Sequence, residues 1–191
     1  GVFNEGKFLP SHVNGFHGSF SVVDSIFYKT EGFNIFYPRD DSVFEGNAFI
    51  ESSGLGIGTR NNVVEVINNL FSGSSEKNWG DRAHVTSWAN YGGEILVSRN
   101  SFQLSTSDLY ALGVREGYST SSMTADQNYF GTTDESEIQE MIVDRADSLN
   151  NASFISSDFL ETPHENTPRL ENVIDELRAL GIYPEADTTP P

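Results

Sequence analysis

Few side chains in this sequence combine the type and the spacing that chemistry requires. The densest group lies between Phe71 and Glu94, where Lys77, Trp79, Asp81, Arg82, His84, Trp88 and Tyr91 follow one another. A second group, Asp108, Tyr110, Arg115, Glu116 and Tyr118, follows about thirty positions later. His84 beside Asp81 and Arg82 has the elements of a proton-transfer or anion-orienting group. No serine-centred nucleophile elbow accompanies it, and no His-x-x-x-His metal pair occurs. For all four histidines, His84 included, an ordinary surface or turn role is the plainer reading; His12 and His17, five apart, suit neither a helical nor a strand face well. Carboxylate pairs of the kind used in sugar hydrolysis are present, Asp40 with Asp41 and Asp81 with Asp108. With 28 Asp and Glu in the chain, such pairs arise readily by chance.

The aromatic residues carry the stronger signal. Trp79, Trp88, Tyr91, Tyr110 and Tyr118 present flat rings near amides and charges, the combination that holds sugars by stacking and hydrogen bonding. With Arg82, His84 and Arg115 they form the candidate ligand-binding set; no catalytic residue and no metal ligand is assigned. The plainer alternative is that each tryptophan folds back over its own loop.

Five short stretches set the frame that must position these groups: Ser25-Ile26-Phe27, Asn47-Ala48-Phe49, Asn69-Leu70-Phe71, Asn100-Ser101-Phe102 and Asn128-Tyr129-Phe130. Their starts are 22, 22, 31 and 28 residues apart. Five positions upstream of each first residue stand Phe20, Ser42, Val64, Ile95 and Met123; three upstream stand Val22, Phe44, Val66, Val97 and Ala125. Asn-x-Phe occurs six times, where composition alone gives about one. Apolar positions at −5, −3 and +2 require a period-two strand followed by a bend that changes parity. A period of this size is the mark of stacked coils. Asparagines stacked coil on coil donate to one neighbour and accept from the next, and the phenylalanines stack beside them. Phe33 over Leu55 and Ile35 over Ile57, each 22 apart, mark a second strand in the first two coils.

These residues resemble the right-handed parallel β-helix of the pectate-lyase-like and carbohydrate-binding surface-protein group. The resemblance is closest at Asn128-Tyr129-Phe130-Gly131-Thr132, then Ile138, Ile142 and Asp144, then Phe154-Ile155 and Asp158-Phe159-Leu160. In that family an Asn-Tyr-Trp-Gly-like end of the last coil leads into a short helix and an extended segment finishing in Pro-Phe-Leu; here Phe130 and Asp158 replace the Trp and the Pro. The resemblance covers roughly residues 20–163 and implies an all-β solenoid of about five coils with a C-terminal helical cap. It also implies a secreted or surface protein that binds, or cleaves by lyase or hydrolase chemistry, an extracellular polysaccharide. A lyase of this type needs a Lys or Arg base, for which Lys77, Arg82 and Arg115 are the candidates in the long loops.

Composition narrows the partners. Eleven Lys and Arg against 28 Asp and Glu give a net charge of −17, which excludes a nucleic-acid backbone and disfavours an anionic membrane. No cofactor is identified. The acidity leaves calcium open, although a solvated acidic face explains it more simply. There is no cysteine and no apolar run of membrane-spanning length, so neither disulfides nor membrane insertion is expected.

In chain order, residues 1–19 read as an irregular first coil or lead-in, residues 20–131 as the coils, 132–183 as the helical cap and 184–191 as a linker-like tail. The chain start and the tail are consistent with a piece of a larger, bacterial surface protein with further domains. Gly54-Leu55-Gly56-Ile57-Gly58 resembles a phosphate loop in spelling only, because no helix follows; the glycines serve tight turns and close stacking. Thr132 with Glu135 predicts a capping box, and a helix over about 134–146 places Ile138 and Ile142 inward. A second helix over about 170–180 carries Leu170, Val173, Ile174, Leu177 and Leu180 on one face, with Gly181 as its stop. Asn151-Ala152-Ser153 is a formal glycosylation sequon. Two functional readings follow: a carbohydrate-binding module using the long loops of coils three and four, or a non-catalytic scaffold or adhesion module.

Overall fold

The computed structural model describes residues 1–4, 18–30, 33–73, 83–87, 92–104, 110–114, 123–149 and 155–184. The fold is mostly β, with three parallel sheets and two helices. Sheet 1 contains β2 (Ser21–Val23), β5 (Ser42–Glu45), β8 (Val63–Ile67), β11 (Glu94–Ser98), β14 (Met123–Asp126) and β16 (Ile155–Ser157). Sheet 2 contains β1 (Val2–Asn4), β3 (Ile26–Tyr28), β6 (Ala48–Ile50), β9 (Leu70–Ser72) and β12 (Ser101–Gln103). Sheet 3 contains β4 (Phe33–Phe36), β7 (Leu55–Gly58), β10 (Ala83–Ser87), β13 (Tyr110–Val114) and β15 (Ile142–Val143). From β2 to β14 the chain visits sheets 1, 2 and 3 in that fixed order, four times over. Each strand pairs in parallel with its equivalent one circuit later.

The registers are those that the repeats dictate. Phe27, Phe49, Phe71 and Phe102 are successive partners, as are Phe44, Val66, Val97 and Ala125. Phe33 faces Leu55 and Ile35 faces Ile57. Sheet 3 also runs further than those two strands. Val85 pairs with Leu55 and Leu112 with Val85, at offsets of 30 and 27 that hide the repeat from a search at 22.

The centre is a column of rings. Phe27, Phe49, Phe71, Phe102 and Phe130 lie 4.9, 5.0, 5.0 and 5.3 Å apart between centroids, near the spacing of neighbouring strands. Beside it stands the asparagine ladder. The Nδ2 groups of Asn47, Asn69 and Asn100 each donate to the Oδ1 of the next asparagine at 3.0 Å, ending on Asn128. Each of those Oδ1 atoms also accepts the backbone N–H of the preceding asparagine, at 2.8–3.0 Å. The amides further donate to the carbonyls of Val22, Phe44, Val66 and Val97. All four asparagines are buried, and a row of such amides without partners would cost a few kcal/mol per group.

The residue before each rung explains the bend. Asp24, Gly46, Asn68, Arg99 and Gln127 all have φ between 46 and 66°. One left-handed residue turns the chain from sheet 1 into sheet 2 within two positions, and the asparagine then satisfies the groups the turn frees. Asp158, with φ 49°, occupies the same place one circuit on. Leu160 N–H donates to Asn128 O, and Phe159 meets Phe130 edge-on at 5.6 Å where a further rung would begin.

Several boundaries differ from those read in the sequence. Residues 2–4 are not irregular: β1 pairs with β3, Phe3 opposite Phe27, one circuit before the first expected rung. The first helix, α1, is only Glu135–Glu140. Its cap is Asp134, whose Oδ1 accepts from the N–H groups of Ser136 and Glu137, rather than Thr132, which accepts from Asp134 N–H. The Ser136 hydroxyl donates to the same Oδ1, and this bond, followed by the Ser136 and Glu137 N–H bonds, holds the Asp134 carboxyl below its ordinary pKa. Ile138 and Ile142 are buried as expected, but Ile142 belongs to β15 and Ala146 is exposed, because pairing with Leu112 captures the chain as strand. The second helix, α2 (Leu170–Ala179), buries Val173 and Leu177, while Leu180 is left exposed. Gly181, at φ 69°, ends it with the paired bonds Gly181 N–H to Arg178 O and Ile182 N–H to Leu177 O.

Candidate sugar-binding corner

Where sheet 2 passes into sheet 3, the chain leaves β3 and β6 through residues 29–32 and 51–54, but leaves β9 and β12 through residues 73–82 and 104–109. From Phe49 to Leu55 is six positions, whereas from Phe71 to Val85 is fourteen and from Phe102 to Leu112 is ten. The next corner, into sheet 1, grows less: nine positions from Leu55 to Val64, ten from Val85 to Ile95 and eleven from Leu112 to Met123. Most of the surplus of the third and fourth circuits thus leaves from one corner. The two surplus segments end at Ala83 and Tyr110, which are register partners in β10 and β13.

A second polar row starts this corner. Thr30 N–H donates to Ser52 Oγ at 3.0 Å, and the Ser52 hydroxyl donates to the carbonyls of Phe27 and Ile50. The signal in the sequence is a hydroxyl residue three positions after the phenylalanine, Thr30 and Ser52, with Ser74 and Ser105 continuing the spacing outside the described residues. Lys29, Glu51 and Gly73 precede those positions with φ of 53, 48 and 66°. The corner therefore begins alike in the first three circuits and diverges afterwards.

Of the candidate ligand-binding residues, two are described. Tyr110 opens β13 at the root of the fourth-circuit segment and is 37% exposed, available for stacking. His84 lies inside β10, fully buried, its ring tilted at 47° and 5.4 Å from Phe71. This corrects the expectation that His84 is displayed with the loop: residues 83–87 are a strand with all five residues buried. Gly54 shows how tightly β10 is seated, since a Cβ there would fall 2.0 Å from His84 O; close stacking rather than a turn requires this glycine. Trp79, Arg82, Trp88, Tyr91, Arg115 and Tyr118 lie outside the described residues, as do Lys77, Asp81, Asp108, His12, His17 and the Asn151 sequon. Asp40 and Asp41 are exposed in the first circuit, and Asp40 Oδ1 accepts the N–H of Val63 in a structural role. His164 Nδ1 accepts the N–H of Asn166 in a turn.

Among the described residues no group of three or more His, Asp or Glu could hold a metal ion, and no helix is long and apolar enough to cross a membrane. No protein-family model matches this chain, and no curated protein or solved structure matches it either.

Proposed function

We propose that the chain is a right-handed parallel β-helix of the pectate-lyase-like, carbohydrate-binding kind, and that it serves outside the cell as a polysaccharide-binding module. The solenoid reading is supported by the fixed order in which the chain visits three parallel sheets and by ladders that join each circuit to the next. Right-handedness is the rule for parallel crossovers.

One observation carries the functional reading: the surplus segments of two successive circuits are rooted on paired residues, Ala83 and Tyr110. In the sequence Trp79 and Arg82 precede Ala83, the exposed Tyr110 opens β13, and Trp88, Tyr91, Arg115 and Tyr118 come after the last residues of these two strands. Rings for stacking, with Lys77, Arg82 and Arg115 to pair with carboxylate or hydroxyl groups, suit an acidic or a neutral glycan. Replacing Trp79 or Trp88 by Ala should weaken glycan binding by about 1–3 kcal/mol while leaving the thermal midpoint nearly unchanged. Titration against a glycan panel, with depolymerisation followed in parallel, tests this. A midpoint that falls by several degrees, or no binding at millimolar glycan, assigns the rings to packing.

The burial of His84 favours a second reading, a non-catalytic scaffold or adhesion module. It withdraws the one histidine of the enlarged corner from proton transfer.

A further inference from the structure

The C-terminal segment retraces the stack from its last circuit to its first. It starts at Leu160, bonded to Asn128 O, and passes Arg99, whose carbonyl accepts the Thr167 hydroxyl at 2.7 Å. It then lays α2 on the outward face of sheet 2. There Val173 and Leu177 join Ile26, Tyr28, Ala48, Ile50 and Leu70 in an apolar cluster separate from the central column, with Leu170, Ile174, Ile182, Tyr183 and Val2 at its margin. The strip is bounded. In the first three circuits the outward positions on either side of the phenylalanine are Ile26 and Tyr28, Ala48 and Ile50, then Leu70 and Ser72; in the fourth they are Ser101 and Gln103. The four strands from β1 to β9 cover about 14 Å, and a ten-residue helix is about 15 Å long. Strip and helix are therefore matched in length and in apolar content.

We propose that this strip is a helix-binding site which α2 occupies in cis, as a strap that opens separately from the sheets, and that its partner in trans is α2 of a second copy of this chain. That occupant is favoured because the surface complementary to the strip is α2 itself. The connection 161–169 is nine residues, long enough when extended to span about 30 Å. Among the described residues of this connection, the Thr167 hydroxyl, donating to Arg99 O, makes the one side-chain bond that reaches another part of the fold. Two further bonds of this connection, Thr167 N–H to His164 O and Asn166 N–H to His164 Nδ1, are local. Intramolecular occupancy keeps the site shut, because a short tether holds α2 at an effective concentration on the order of millimolar. This inference is independent of the sugar-binding proposal.

The test uses the full chain and a fluorescein-labelled peptide of residues 168–184. The unaltered chain should bind it weakly, since α2 competes. A full chain carrying V173A and L177A loosens its own strap but keeps the strip, and should bind the peptide at least tenfold more tightly. Adding Ile50→Ser to that variant should remove the gain. Equal binding to the unaltered and strap-loosened chains, or binding indifferent to Ile50→Ser, overturns the proposal. Should the variants fail to fold, hydrogen exchange on the unaltered chain decides. Amides of residues 174–180 should exchange at least tenfold faster than those of Ala48–Ile50 and Leu70–Ser72. Exchange of both sets at one common rate overturns the strap.

Discussion

Two corners of the same circuit follow opposite rules. From sheet 1 to sheet 2 the chain always turns in two residues: Asp24-Ser25, Gly46-Asn47, Asn68-Asn69 and Arg99-Asn100. From sheet 2 to sheet 3 it takes four residues in two circuits, then ten and six. The difference is one of bonding. At the constant bend, each asparagine completes the hydrogen bonds of the circuits on both sides, so every rung must stand at the same height and depth. Among the described residues of the variable corner, the ties between circuits lie at its first positions, through Lys29, Thr30, Glu51, Ser52 and Ser53. Beyond them, length costs only loop-closure entropy, which grows slowly. The constant bend is also the side along which the C-terminal segment runs, and that path needs a regular surface. The variable corner is where new side chains can be added without disturbing the ladder.

Inserting one residue in each place should break this comparison most sharply. A glycine between Asn68 and Asn69 moves the side chains of Leu70–Ser72 to the wrong face and takes Asn69 out of line with Asn47 and Asn100. The cooperative urea transition should be lost. The same insertion between Ser75 and Glu76 should shift stability by less than about 1 kcal/mol. Comparable losses at both sites would mean that the corners are constrained alike.

A single rung tests the bonding argument. Asn69→Leu removes the acceptor used by the Asn47 N–H and amide, and the donor to Asn100 and Phe44. It should cost about 1–3 kcal/mol by urea denaturation, since buried donors are left unpaired.

The constant corner was readable from sequence because it repeats residue type and spacing together. Asn47, Asn69, Asn100 and Asn128 with their phenylalanines specify the ladder, the column and the registers of sheets 1 and 2. Sheet 3 was readable only where the corner is short, because surplus residues before Val85 and Leu112 destroy the period. His84 was misread for the same reason: it lies among loop-like residues in sequence, while pairing with β7 and β13 makes its neighbourhood a buried strand. The outward strip left a signal, Ile26, Ala48 and Leu70 beside the phenylalanines, which acquires meaning only once α2 is seen to need a partner. At the candidate site the sequence supplied residue types, while the structure supplied the pairing of Ala83 with Tyr110.

A smaller effect should come from the left-handed residue itself. Gln127 holds φ 52° with a side chain that is exposed, where Gly46 does the same work without a Cβ. Gln127→Gly should raise stability by about 0.5 kcal/mol, the relief of strain being partly offset by the freer unfolded chain. A loss instead would show that the side chain, not the backbone, matters at this bend.

The smallest expected effect concerns the end of the segment that crosses the constant side. Tyr183 lies 5.5 Å from Tyr28, with the Arg178 guanidinium 5.7 Å from its ring centre. Burial, and then the nearby Glu51 carboxylate and Tyr28, push its phenol above the ordinary tyrosine pKa. The folded state thus favours the neutral phenol. The associated stability is complete below the unfolded value, about 10, and is lost as pH rises through the higher folded value. Lys29, over the Tyr28 ring at 5.0 Å, is also raised, first through its hydrogen bond with Tyr28, and its contribution fades in the same direction. Tyr183→Phe removes one of these two titrations and keeps the ring. Urea midpoints measured from pH 8 to pH 11 should therefore fall less steeply in Tyr183→Phe than in the unaltered chain, with the difference confined to the alkaline end. Parallel slopes would show that the phenol titrates alike in both states, and that α2 is held at this end by ring packing alone.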